Sequence, residues 1–473
     1  MPRFKLPSLP ENLDDLCAAY DHATGSYAWR LADRMLRFFR DAPLSAVEPR
    51  HATSFLRLRA TVLNSLGDVS ACRAIFKFAA TQAAGNGDIV AQAAALAELH
   101  VDRSLRLDDD TEHGSPFIGA IRDDLLDIVK LLEQNPDAMA ENPDLATATL
   151  AHLTHGFALI GAIDDGRAVL DQAHVICPDK QSLKASLDLA DAVLLACSGE
   201  IEEACEFGEL ILGRESEDPL ALQVEVRQFL GTWYRALDRH EEAAAHLKVV
   251  TELCQDHGLA YLSVVGAMQQ ISSLVELNQS EAVIELASWA LDEAAEIGIN
   301  NEVVRTLDVV LVQSLSALDR HLQALNCAEI AGTRSREHGD VSTALTLYEM
   351  GAKSARLIDD PVRAANLYGF CAELSAGMAT IQARFLRKEA EAILATVGIQ
   401  VGKTQVDTAS IETRTALSLT TDLMDEALTL LMSTPAEQRE LGAQELSKWN
   451  ALRAWISSVS TQPNATTSEE GDV

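Results

Sequence analysis

The sequence predicts an all-α protein: a solenoid of stacked antiparallel helix pairs, closed at its C-terminal end by a pair of capping helices. Three observations carry that expectation. Hydrophobic residues make up 48% of the 473 residues but aromatics only 5%, so Ala and Leu, both strong helix formers, supply most of the apolar surface, and there are only 13 prolines. No run of alternating β-branched residues bounded by turn clusters marks a strand. Finally, two kinds of punctuation recur with one period. Polar turns stand at Ala162-Ile163-Asp164-Asp165, Cys197-Ser198-Gly199-Glu200, Asp238-Arg239-His240-Glu241, Leu277-Asn278-Gln279-Ser280, Asp319-Arg320-His321-Leu322 and Leu357-Ile358-Asp359-Asp360-Pro361. The small residues that follow them, Ala168, Ala204, Ala243, Ala282, Ala324 and Ala364, are 36, 39, 39, 42 and 40 apart. Junctions such as Glu217-Asp218-Pro219, His257-Gly258, Ile297-Gly298 and His338-Gly339-Asp340 fall between them at the same interval. Turn and junction repeating together describe an array in which no unit buries its apolar face alone.

Taken in order, residues 1–12 are Pro-rich and extended, and the repeat solenoid spans 13–395. Its first helical pair covers Leu13 to Arg40. The second runs from Val47 to Leu66, turns at Gly67-Asp68 and ends at Gly85-Asn86-Gly87-Asp88, since Gly and Asn follow helix C-termini. Within it Ala60, Leu63, Cys72 and Phe76 fall at small and large contact positions. An acidic insertion, Asp108 to Pro116, separates two helices, and Asn135-Pro136 and Asn142-Pro143 bracket a loop or one helical turn. A turn-rich linker occupies 396–413. Two capping helices follow in 414–459, with Leu417, Leu423, Leu428, Leu431, Trp449, Leu452, Trp455 and Ile456 to cover the open end, and 460–473 reads as a disordered acidic tail.

The clearest unit is Phe229-Leu230-Gly231-Thr232-Trp233-Tyr234-Arg235-Ala236-Leu237-Asp238-Arg239-His240-Glu241-Glu242-Ala243. Gly231 admits a second helix at close range, and Glu241 and Glu242 sit in the first turn of the next helix, where the macrodipole favours negative charge. Leu230, Gly231, Tyr234 and Ala243, with Leu247 as the large residue, resemble the tetratricopeptide-repeat pattern; Arg227 stands where that family has Trp. The units here are longer than the family's ~34 residues and resemble the long repeats of bacterial signalling and transcriptional regulators. HEAT-like arrays share this length, but Gly231, Gly156 and the Ala series favour the tetratricopeptide reading. The resemblance implies a right-handed superhelix whose first helices line a concave groove, and in the best unit it places Glu225, Gln228, Thr232 and Arg235 on that groove. The apolar residues Leu150, Leu153, Phe157 and Ile160, and Val264 and Ile271, mean a hydrophobic groove, a slipped register or a tightly wound superhelix.

With 38 basic and 71 acidic residues the net charge is −33, which opposes phosphate backbones and anionic membranes and excludes nucleic acid and membrane as partners. Eight scattered cysteines without a CxxC pair suggest neither a disulfide framework nor zinc, and with no secretory segment they point to the cytoplasm. Gly398-Ile399-Gln400-Val401-Gly402-Lys403-Thr404 lacks the spacing of a phosphate loop and reads as a linker. His152 and His155 sit one helical turn apart, a spacing that can share a metal but is better explained by a packed histidine. The acidic insertion lacks the ordered ligands of a calcium loop, and Asn464-Ala465-Thr466 is a chance glycosylation match. No hydrolase elbow, zincin or catalytic cysteine motif appears. The expectation is a non-enzymatic scaffold or adaptor without cofactor or metal that binds a protein or peptide. The alternative is the sensor subunit of a regulatory system whose output domain is on another chain; an enzyme with an unrecognised site, its metal on His152 and His155, comes third.

Overall fold

The computed structural model describes residues 8–20, 23, 25–105, 114–176, 181–214, 218–401, 411–432 and 439–460. Among them there is no strand. The acidic run Asp108 to His113, the junction Cys177-Pro178-Asp179, Glu217, Lys403-Thr404 and the tail with Asn464 lie outside the described residues, as does the side chain of Leu431. Among the described residues the chain is all-α, built of antiparallel helix pairs, and it divides into two compact units, Met1–Val304 and Arg305–Val473.

The first unit opens with α1 (Leu13–Tyr20) and α2 (Gly25–Arg34). The helix pairs follow: α3 (Ala52–Leu66) with α4 (Val69–Gly85), α5 (Ile89–Leu105) with α6 (Gly114–Glu133), the short α7 (Pro136–Glu141), α8 (Pro143–Leu159) with α9 (Ile163–Ile176), and α10 (Gln181–Cys197) with α11 (Ile201–Leu212). Then come α12 (Pro219–Ala236) with α13 (His240–Asp256) and α14 (Ala260–Glu276) with α15 (Ser280–Ile297). Each helix packs on the next along the chain, as stacking requires. The second unit holds most of α16 (Glu302–Ala317), α17 (His321–Glu337), α18 (Val341–Leu357), α19 (Pro361–Leu374), α20 (Ala379–Thr396), α21 (Ile411–Met432) and α22 (Arg439–Ser460). Its last helices pack on α20, where the fully buried Trp449 donates its indole N–H to the Ala383 carbonyl at 3.1 Å.

One hydrogen bond explains why the pairs recur. Within seven of the pairs the turn residue has a left-handed backbone, and the next N–H donates to a carbonyl five residues earlier: Asp68 to Leu63, Ala162 to Phe157, Glu200 to Leu195, Arg239 to Tyr234, Gln279 to Leu274, Arg320 to Leu315 and Asp360 to Ala355, at 2.8–3.0 Å. This is the helix-terminating bond that satisfies an orphan carbonyl. The left-handed position is Gly67, Gly161 and Gly199 early in the chain, then Asp238, Asn278, Asp319 and Asp359 with φ of 57–59°. Asp and Asn tolerate that conformation better than other side chains. Junctions between pairs use the same bond with glycine: Leu259 to Cys254 past Gly258, Ile299 to Ala294 past Gly298 and Asp340 to Ser335 past Gly339.

Measured at the left-handed residue, the later spacings are 38, 39, 40, 41 and 40, more even than the alanine series suggests. The buried small position lies five residues beyond it, at Gly166, Ala204, Ala243, Val283, Ala324 and Ala364. Two expected members therefore move: Ala168 is exposed and Ala282 is only half-buried. Gly231 plays its expected part, since a Cβ there would lie 2.5 Å from Leu247 Cγ of the facing helix.

The N-terminal segment does more than start the stack. Asp218 caps α12 by accepting from the Ala221 N–H, and the same carboxylate takes the Ser26 N–H at 2.8 Å and the Ser26 hydroxyl at 2.6 Å. Asp33 accepts the Ala260 N–H at the start of α14 at 3.0 Å, and Asn301 donates to the Ser65 carbonyl at 2.8 Å. Helix α2 is thus fixed to the starts of two later first helices, inside the array.

Candidate functional site

The inner faces of the first helices carry one register. Counting back from the left-handed residue, Glu225 and Gln228 of α12 correspond to Ala148 and Ala151 of α8 and to Ser186 and Leu189 of α10. All six line one cavity of about 370 Å³, with Trp29 of α2 and Phe229 completing its wall. His155 of α8, equivalent to Thr232, also faces it. An adjoining cavity of about 440 Å³ shares Gly25, Trp29, Ala148 and His152, and includes Arg57, Thr61 and Asn64, the α3 equivalents of Gln228, Thr232 and Arg235.

Of the four groove residues expected from the sequence, the structure brings Glu225 and Gln228 together in this chamber. Thr232 lies further along the same stripe, exposed, its hydroxyl donating to the Gln228 carbonyl, and Arg235 follows half-buried at the helix end. The apolar alternative resolves as a slipped register: Leu150, Leu153 and Phe157 are fully buried between helices, and so are Val264 and Ile271. His152 and His155 line the chamber that Leu150 and Leu153 turn away from.

The electrostatics of the chamber follow from enclosure. Burial, with Asp218 nearby, pushes the Glu225 carboxyl up to about 7. Burial pulls His155 down to about 3, helped by His152, and lowers His152 as well, so both imidazoles are neutral at neutral pH. The ring of His155 leans on Phe229 at 5.6 Å and its Nε2 is buried without a hydrogen-bond partner. Among the described residues the side chains of Glu225 and Gln228 have no hydrogen-bond or ion-pair partner either. Buried polar groups are nearly always satisfied, so the unpartnered Nε2 of His155 is an exception at this cavity, whereas Glu225 and Gln228 are half-buried and open to it. In the adjoining cavity the charge is already matched: Arg57 pairs with Glu98 at 2.8 Å and lies over the Tyr20 ring, and Arg73 pairs with Asp102 at 3.1 Å. No group of three or more His, Cys, Asp or Glu is placed to hold a metal ion among the described residues.

The sequence pointed to Glu225 and Gln228 through one repeat. It missed Trp29 and Ser26, because the docking of α2 on helices some 190 residues later leaves no local pattern; the fixed count from each turn would have found Ser186 and His155.

No protein-family model matches the chain, and no curated protein matches it. Solved structures resemble it. A signal-transduction ATPase with numerous domains and a tetratricopeptide-repeat sensor, from Pyrococcus horikoshii, aligns at 14% identity with a TM-score of 0.39, covering 70% of this chain and 49% of that one. This chain thus spans about half the length of that protein. The apo form of RapI aligns at 11% identity with a TM-score of 0.44, over 77% of this chain and 97% of that one. Yeast Tom70 aligns at 13% identity with a TM-score of 0.30, over 90% and 96%.

Proposed function

We propose that this tetratricopeptide-like chain is a non-enzymatic scaffold or adaptor that binds a protein or peptide along the inner stripe of its first helices, with Glu225, Gln228, Thr232 and Arg235 in contact with the partner. The observation that carries the reading is the repeated register itself, which sets Glu225 and Gln228 on the cavity wall and Thr232 and Arg235 further along the same face of α12. A surface that serves only to fold would satisfy or expose such groups. The net charge of −33 favours a partner with basic character and disfavours nucleic acid and anionic membrane. No helix among the described residues is long and apolar enough to cross a membrane. Five of the seven described cysteines are buried, which suits the reducing cytoplasm.

The test is co-purification of the tagged chain with its partners, compared with Gln228→Ala and Arg235→Glu. Loss of the same partner from both folded variants is expected. Unchanged recovery removes the stripe as the binding surface. A second reading, the sensor subunit of a regulatory system, is favoured by the volume of the chamber, about 370 Å³, which suits a small signal better than a folded domain. A co-purified partner carrying a DNA-binding or kinase output domain supports it; partners without any output domain remove it.

A further inference from the structure

We propose that the chamber between α2, α8, α10 and α12 is a site for an organic cation: an ammonium group on an apolar or aromatic body, its charge taken by Glu225. This deepens the reading of the inner stripe as a binding surface and rests on it. The chamber has volume for a small molecule or for the end of a peptide, about 370 Å³, within the usual size of a ligand pocket.

The sign of the charge is set by what lines the wall. Among the described residues the ionisable side chains that line this cavity are Asp218, Glu225, His152 and His155, with no Lys or Arg. Asp218 is already engaged by Ser26 and by the start of α12. Arg30 of α2 lies within electrostatic reach of Asp218, and Arg57 belongs to the adjoining cavity, held by Glu98. Glu225 is therefore the one carboxyl of the chamber left without a donor among the described residues. An anion would meet two carboxylates and no Lys or Arg among the described lining residues; an ammonium would supply the missing donors.

The remaining hydrogen bonds fit the same group. An ammonium has three N–H donors. Glu225 takes one, the Gln228 side-chain oxygen can take the second, and a neutral His155 can take the third on its unpartnered Nε2. Trp29 and Phe229 line the same cavity, and aromatic rings attract cations. Leu189, Leu222 and Leu262 leave an apolar compartment for the body of the ligand. Because burial raises Glu225 to about 7, a cation that needs its ionised form binds more tightly above that pH. Asp218 acts on Glu225 directly, His152 and His155 line the same cavity, and burial lowers both histidines, so the wild-type dependence that Glu225→Gln abolishes belongs to the carboxyl.

The same ammonium chemistry arises from a free amine or from the amino terminus of a peptide, and calorimetric titration of the purified full chain separates them. The probes are 2-phenylethylammonium, 3-phenylpropanoate, and the peptide amide Phe-Ala-Ala with a free or an acetylated amino terminus. Saturable binding of 2-phenylethylammonium or of the free-terminus peptide is expected, with none for the carboxylate or the acetylated peptide. Binding of the peptide alone assigns the source to a chain end, and binding of the amine alone to a small molecule; either supports the site. In Glu225→Gln the affinity should drop about ten-fold or more, and in Gln228→Ala by a smaller factor. Wild-type affinity should fall from pH 8 to pH 6, and that of Glu225→Gln should not. Equal binding of carboxylate and ammonium, silence of every cationic probe, or an unchanged affinity in folded Glu225→Gln overturns the proposal. Silence of the probes combined with a protein partner that Gln228→Ala still loses removes the cation site and leaves the scaffold reading in place.

Discussion

At the scale of single residues, close approach and open space can be told apart by glycine. A Cβ on Gly231 would sit 2.5–2.9 Å from three carbons of Leu247, which is itself buried, so Gly231→Ala should overpack the α12–α13 waist and cost about 1–3 kcal/mol. Gly119 lies in the exposed middle of α6 with nothing within 4 Å, so Gly119→Ala should instead stabilise by about 0.5–1 kcal/mol. Urea melts of the two variants read opposite shifts if the glycines play these roles. Glu225 gives a prediction with pH. Its folded pKa lies above the ordinary carboxylate value, so the stability it contributes is present below that ordinary value and is lost as pH rises towards 7. Glu225→Gln, which cannot ionise, should therefore match the wild type near pH 4.5. It should become the more stable protein by pH 8, by on the order of 1 kcal/mol. A wild type that stays equal to the variant at pH 8 contradicts the burial of a charged carboxyl. His155 runs the other way: its folded pKa is depressed, so its contribution is lost as pH falls from the ordinary imidazole value, which limits stability on the acid side.

At the scale of elements, the helix starts separate local capping from long-range docking. Asp360 caps α19 through the Arg363 N–H alone among its described hydrogen bonds from helix starts, and Asp360→Ala should cost about 1 kcal/mol. Asp218 makes the same kind of cap and also holds Ser26 by two hydrogen bonds, so Asp218→Ala should cost about 2–4 kcal/mol. The extra loss should appear as faster amide exchange in Gly25–Arg34, which Asp360→Ala leaves untouched; equal exchange in both variants would mean that α2 stands on its own packing. This contrast marks where the sequence is legible. The helix pairs could be read from it because each depends on a local rule: an apolar stripe, a left-handed turn residue, a small residue at a crossing. Asp238-Arg239-His240 and Asp319-Arg320-His321 even repeat the same tripeptide in the same turn, with φ of 57° at both aspartates. The register slipped where a local rule has two readings, as at Ala168 and Ala282, since glycine and valine fill the buried position there. The chamber was half legible: Glu225 and Gln228 stand in the best-preserved unit, whereas the wall that α2 supplies depends on contacts between distant parts of the chain.

At the scale of the whole molecule, the dominant quantity is charge. Only 38 basic residues face 71 acidic ones, and many of the arginines are already committed to ion pairs between helices. Arg57 with Glu98, Arg122 with Asp165, Arg363 with Glu329 and Arg387 with Glu445 are examples. What remains in solvent is therefore a surplus of carboxylates that repel one another. Added salt acts on these two populations differently. Exposed like charges farther apart than about 8–10 Å are largely screened at 0.1–0.15 M ionic strength, while pairs such as Arg387 with Glu445, with side chains 13% and 7% exposed, keep most of their attraction. Repulsion should thus fade faster than pairing, and the melting temperature should rise between low salt and about 0.15 M sodium chloride before levelling off. The rise should be the same with potassium chloride, because it comes from screening and not from a bound ion. A melting temperature that falls monotonically with salt would mean that the ion pairs between helices, and not the surplus of carboxylates, govern the stability of this chain.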